Sequence, residues 1–120
     1  MVDIATLGLT LCLAAGNIEC DNISYEFDSQ LRKDGVNGIT LLYTKSQRQV
    51  IKVSSEYKKD KYVTTAILIH ELAHVKVTQD GHSHDVNRRH LQVYKNTCKQ
   101  ILNNLKSTNN KICRTKVNWG

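Results

Sequence analysis

The chain has five histidines, His70, His74, His82, His84 and His90, all between positions 70 and 90, and the first two frame His70-Glu71-Leu72-Ala73-His74. On an α-helix, residues four apart lie on one face, so both imidazoles can reach a single ion at the roughly 2.0–2.1 Å of a zinc–nitrogen bond. Glu71 then stands beside that ion. The chemistry this spacing serves is peptide-bond hydrolysis by a zinc-bound water. Glu71 acts as general base, taking the water's proton as it attacks the carbonyl and returning it to the leaving amine. Zinc lowers the pKa of water and stabilises the charge that develops on the tetrahedral intermediate. The plain alternative, two hydrogen-bonded histidines in a buried helix, would have to find partners for three polar groups at once.

A catalytic zinc needs a third protein ligand and an open fourth position. No glutamate follows Glu71, which excludes the peptidases that take a downstream glutamate as third ligand. The metzincin pattern requires Gly at position 77 and a ligand at position 80. This chain has Val77 and Asp80, and Met1 is its sole methionine, so nothing supplies a Met-turn. What remains is Gly81-His82-Ser83-His84-Asp85, where a glycine-assisted turn can swing a histidine back onto the metal. His82 is the favoured third ligand and His84 the alternative. His90 reads as a solvent-facing residue. Ligation by both His82 and His84 would make a closed structural site with no place for water, a role for which Glu71 is not needed.

The elements that must position these residues follow from pattern. Asp60 is an N-cap, and Val63, Ala66, Ile67, His70, His74 and Val77 recur at three- and four-residue spacing, up to a stop at Gln79-Asp80-Gly81. Within this helix Ala66-Ile67-Leu68-Ile69 is apolar all round, as a central helix must be. An N-terminal helix is expected from Ile4 to Ala15, ending at Gly16 and Asn17. Ile23 to Asp28 alternates with period two, placing Ile23, Tyr25 and Phe27 on the core face of a strand. Turn residues Asp34 to Gly38 lead to a second strand from Ile39 to Thr44, and Gln49 to Ser54 forms a third. A long last helix spans His84 to Lys106, with Leu91, Tyr94, Cys98, Ile101, Leu102 and Leu105 as its apolar stripe. The expectation is one α+β domain over residues 1–120, with a small three-stranded antiparallel sheet packed against three helices.

Composition limits the rest. At 120 residues there is room for one core, and 40% apolar with 23% charged residues is ordinary for a globular chain. The net charge of +6 is compatible with an acidic partner such as nucleic acid, but the basic residues are scattered and read as a solvated surface. The four cysteines, Cys12, Cys20, Cys98 and Cys113, lack CxxC spacing, which argues against a zinc ribbon and permits two disulfides. Leu7 to Ala15 has the length of a signal-peptide core, but Asp3 stands where a basic residue belongs, so a buried first helix is the preferred reading and cleavage at about residue 16 the alternative. No apolar run is long enough to cross a membrane. Tyr57, Tyr62 and Tyr94 are candidates for an oxyanion donor, none preferred over the others.

Taken together, a helix, a short sheet, His70-Glu71-Leu72-Ala73-His74 and an Asp-Gly-His segment opening another helix resemble the SprT-like zinc metallopeptidases, related to Spartan and WLM proteins, over about residues 4–106. In that family the third histidine is usually followed by Gly or Ser and, four positions on, an aromatic. Here His82-Ser83 matches, and Val86 replaces the aromatic. The resemblance implies a zincin-like minimal core, Zn2+-dependent cleavage of protein or peptide substrates by a monomer, a cytoplasmic or nuclear and nucleoid-associated location, and DNA association by analogy. The alternatives are a secreted enzyme, if residues 1–16 are a signal peptide, and a non-catalytic zinc-stabilised binding module for nucleic acid or protein.

Overall fold

The computed structural model describes residues 1–43, 45–79, 88–108 and 110–114; of residues 77–79, 88–91 and 110 it describes the backbone alone. Helix α1 covers Ile4–Ala15, strand β1 Ile23–Asp28, helix α2 Ser29–Lys33, strand β2 Gly38–Tyr43, strand β3 Arg48–Ser54, helix α3 Lys61–Gln79 and helix α4 Arg88–Asn104. Short 3-10 turns occupy Cys20–Asn22, Ser55–Tyr57 and Asn110–Arg114. This is an α+β arrangement, as the hydrophobic pattern requires.

The sheet is three-stranded in the order β1-β3-β2. It is mixed, which corrects the antiparallel expectation: β2 pairs with β3 antiparallel, whereas β1 pairs with β3 parallel, Ile23 opposite Gln49 and Asp28 opposite Ser54. The reason is the connection after β1. Strands β2 and β3 form a hairpin, so β3 returns in the direction of β1, and the chain between β1 and β2 folds into α2 instead of a tight turn. Asp28 starts that helix, its Oδ1 accepting from Gln30 N at 2.7 Å. On the outer face of the sheet the same residue's Oδ2 accepts from Lys52 Nζ at 3.1 Å. Nothing in the period-two pattern of β1 reveals on which side of the hairpin it lies.

Helix α3 is the centre of the core. Ala66, Ile67, Leu68 and Ile69 are fully buried, together with Leu72, Ala73 and Val75, so the middle of the helix is enclosed by α1, α4 and the sheet. Ile51 and Val53 of β3 face it with no exposed surface. In α4 the stripe Tyr94, Cys98, Ile101 and Leu102 is buried as expected, but the helix ends at Asn104 and Leu105 is exposed. The expected helical residues 84–87 and the strand residue Thr44 lie outside the described residues.

Helix α1 is an integral layer. Leu11, Cys12 and Ala15 are buried, Asp3 caps its start through Thr6 N, and Gly16 and Asn17 follow it with positive φ. Its last carbonyls are satisfied from other helices: Asn104 Nδ2 donates to Ala14 O at 2.6 Å and Lys76 Nζ donates to Ala15 O at 2.7 Å. Gly8 lets the ring of Tyr25 lie directly on the helix backbone, where a Cβ would overlap it. Two disulfides complete the frame, Cys12–Cys20 joining α1 to the turn before β1 and Cys98–Cys113 joining α4 to the 3-10 turn at 110–114.

Two outcomes follow from this packing. Gly8→Ala forces a methyl into the Tyr25 ring and is expected to lower the unfolding free energy by about 1–3 kcal/mol in urea denaturation. Opening the Cys98–Cys113 bridge is expected to cost about 3 kcal/mol by loop entropy, read by comparing Cys98→Ala/Cys113→Ala with wild type.

Candidate metal centre

Helix α3 delivers His70, Glu71 and His74 to one point, where one ligand atom from each lies within 4.8 Å of the others. His70 Nε2 and His74 Nε2 are 2.9 Å apart, with ring centroids at 4.6 Å and planes at 76°. Two nitrogens on one tetrahedral zinc with bonds near 2.05 Å stand about 3.3 Å apart, so the pair needs to open by only a few tenths of an ångström to ligate. His70 and Glu71 are buried and His74 is half-buried, so the accessible side of the group is the His74 side.

Glu71 is the unusual residue. It is 2% exposed in the core of the helix packing, a place where a carboxylate needs compensation. One oxygen has it: Oε1 accepts from Thr40 Oγ1 of β2 at 2.9 Å. The other, Oε2, is fully buried with no hydrogen-bond partner among the described residues, and it stands 3.9 Å from His70 Nε2. Burial pushes the Glu71 carboxyl up to about 8, against a smaller downward pull from the Thr40 hydroxyl. A cation held by the two imidazoles would supply the missing counter-charge. Two ring nitrogens with a carboxylate oxygen beside them are a group that could hold a divalent metal ion.

The approach of β2 to α3 depends on Gly38. A Cβ there would sit 2.5 Å from Ile67 Cγ2 and 3.4 Å from Glu71 Oε2, so the strand could not lie this close with any larger residue. On the opposite side, Tyr94 of α4 packs its ring 5.7 Å from that of His70, tilted by 53°, and its hydroxyl donates to Ile112 O at 3.5 Å. Burial, with the nearby Tyr62 adding to it, raises the Tyr94 phenol to about 12, which keeps it a donor at neutral pH. Tyr57 donates to Asn37 Oδ1 at 3.1 Å, while Tyr62 is exposed.

Of the residues that the sequence singles out, His70, Glu71 and His74 are therefore brought together. His82 and His84 lie outside the described residues, and so does the side chain of His90. Thr40 and Gly38 were not foreseen. Alternation along β2 puts them on one face, but no sequence signal connects that face to a glutamate 31 residues away. In the comparisons with known proteins, no family model matches the chain, and neither a curated protein nor a solved structure matches it.

The Glu71 environment has a pH signature. Its folded-state carboxyl is pushed up to about 8 from the ordinary 4.5, so the metal-free folded protein holds a proton that the unfolded chain releases over this interval. The stability contribution is complete below the lower value and is lost as pH rises through the higher one. The difference in unfolding free energy between wild type and Glu71→Gln, measured in urea with chelator present, is expected to fall continuously from pH 5 to pH 8.

Proposed function

We propose that this protein is a zinc metallopeptidase with a zincin-like core that hydrolyses peptide bonds in protein or peptide substrates. The single observation that carries this reading is the buried Glu71 Oε2, without a hydrogen-bond partner among the described residues, 3.9 Å from the Nε2 of His70, which is itself paired with His74 Nε2. A purely structural helix gains nothing from burying a carboxylate there, whereas hydrolysis needs a base at that position. The His-Glu-x-x-His motif and the order of helices and strands around it, which resemble the SprT-like peptidases, support the same reading.

His70 and His74 would hold the metal through Nε2, and His82 would complete the site, with His84 as the alternative. Zinc, when bound, supplies a Lewis acid that activates water and offsets negative charge on the carbonyl oxygen. Glu71 Oε2 receives the proton of the attacking water and passes it to the amine of the departing product. The apolar surroundings of α3, with Ile67, Leu68 and Leu72 fully buried, keep bulk water from the carboxylate and hold its proton affinity in the range this transfer requires. Tyr94 walls the site on the α4 side.

The two disulfides favour an oxidising compartment over the cytoplasmic or nuclear location that the resemblance implies. Helix α1, packed and bridged through Cys12, belongs to the folded unit under this reading.

Elemental analysis of protein purified without chelator is expected to give about one zinc per chain, lost in His70→Ala and in His74→Ala and in one of His82→Ala or His84→Ala. Glu71→Gln should retain the zinc and lose peptide hydrolysis by a factor of about a hundred or more. Zinc retention with unchanged hydrolysis in Glu71→Gln would overturn the proposed mechanism, and zinc without any hydrolysis in wild type would point to a binding module.

A further inference from the structure

We propose that Thr40 is a positioning residue for Glu71: by donating its hydroxyl to Oε1 from the edge strand β2, it fixes the carboxylate plane and leaves Oε2 as the atom beside His70 Nε2, at 3.9 Å. This assignment rests on the metallopeptidase reading, in which Oε2 carries the proton.

The terminal torsion of a glutamate is broad, so a carboxylate in an apolar pocket does not hold one plane unless something grips it. At 2.9 Å, the Thr40 contact is an ordinary O–H···O bond, which a charged acceptor would strengthen. Threonine suits the task because branching at Cβ restricts its χ1, and its backbone is locked in the ladder opposite the fully buried Ile51. The donor therefore has little freedom of its own.

The strand and helix are in step. Gly38 lies against Ile67 and Thr40 against Glu71, so two residues along β2 correspond to four along α3. Two strand residues advance about 6.7 Å and four helical residues about 6 Å, a match close enough for both contacts to form together. Gly38 removes the side chain that would hold the strand away, and Thr40 uses the proximity. The two oxygens of a carboxylate are equivalent, so what the Thr40 contact sets is the plane of the group, and with it the place of the second oxygen, 3.9 Å from His70 Nε2.

Thr40→Val keeps the shape and the β-propensity and removes the donor; Thr40→Ser restores it with a looser χ1. Thr65→Val, which removes a hydroxyl that donates to Lys61 O on the outside of α3, is the control. Zinc content, kcat and KM would be measured with fluorescein-labelled, denatured casein. A double-mutant cycle of Thr40→Val with Glu71→Ala would be measured by urea unfolding of the metal-free proteins. The expected result is unchanged zinc content, kcat lowered about ten- to a hundredfold in Thr40→Val with KM nearly constant, most of the rate regained in Thr40→Ser, and a non-additive cycle.

A wild-type kcat in Thr40→Val, whatever its stability, overturns the positioning role while the peptidase reading stands. An additive cycle overturns it too, because the two side chains then do not interact. A non-additive cycle beside zinc-loaded wild type that cleaves nothing overturns the peptidase reading and the catalytic role of Thr40 with it.

Discussion

The burial of one carboxylate is the constraint around which the rest of this structure is arranged. Glu71 lies on the central helix of the core, two residues beyond a segment in which Ala66 to Ile69 have no exposed surface. Removing a carboxylate from water is costly unless hydrogen bonds or an opposite charge replace the lost hydration. The protein supplies one donor, Thr40, and leaves the second oxygen 3.9 Å from the imidazole of His70. In the folded chain the group consequently prefers to be protonated at neutral pH. This tension between burial and charge is typical of a functional position and uncommon in a structural one.

The packing around α3 maintains that tension. Strand β2 approaches the helix closely because Gly38 has no side chain, and α4 closes the other side with the ring of Tyr94 against His70. Helix α1 and the strands β1 and β3 complete an apolar shell, so the face of α3 that carries His70 and Glu71 is packed on its other sides and accessible on the side of His74. The stiffness matters chemically. Groups that must meet a metal or move a proton work best when the scaffold, and not the incoming ligand, bears the cost of ordering them.

The disulfides contribute to the same rigidity at the periphery. Cys12–Cys20 fixes the exit of α1 before the sheet begins, and Cys98–Cys113 holds the turn whose Ile112 carbonyl receives the Tyr94 hydroxyl. The C-terminal carbonyls of α1 are met by Asn104 and Lys76 from α4 and α3, so the three helices are joined by polar contacts at their ends as well as by apolar packing between them. A chain of this size, with a core built on few large side chains, gains from each such constraint.

The sequence by itself determined the parts of this protein that depend on local periodicity. Helices at Ile4–Ala15 and Lys61–Gln79 and strands near 23–28, 38–43 and 48–54 follow from the 3.6- and 2-residue repeats, and four-residue spacing on a helix is enough to bring His70 and His74 together with Glu71 beside them. The relations between elements were decided only by tertiary structure. Whether β1 pairs parallel or antiparallel depends on which edge of the hairpin it occupies, and that is settled by packing on α1 and by the short helix α2, to which no apolar period points. The partnership of Thr40 with Glu71, the need for glycine at position 38 and the stacking of Tyr94 beside His70 join residues far apart in the chain. Periodicity states which face of an element is apolar, but which residue that face meets is a property of the assembled core.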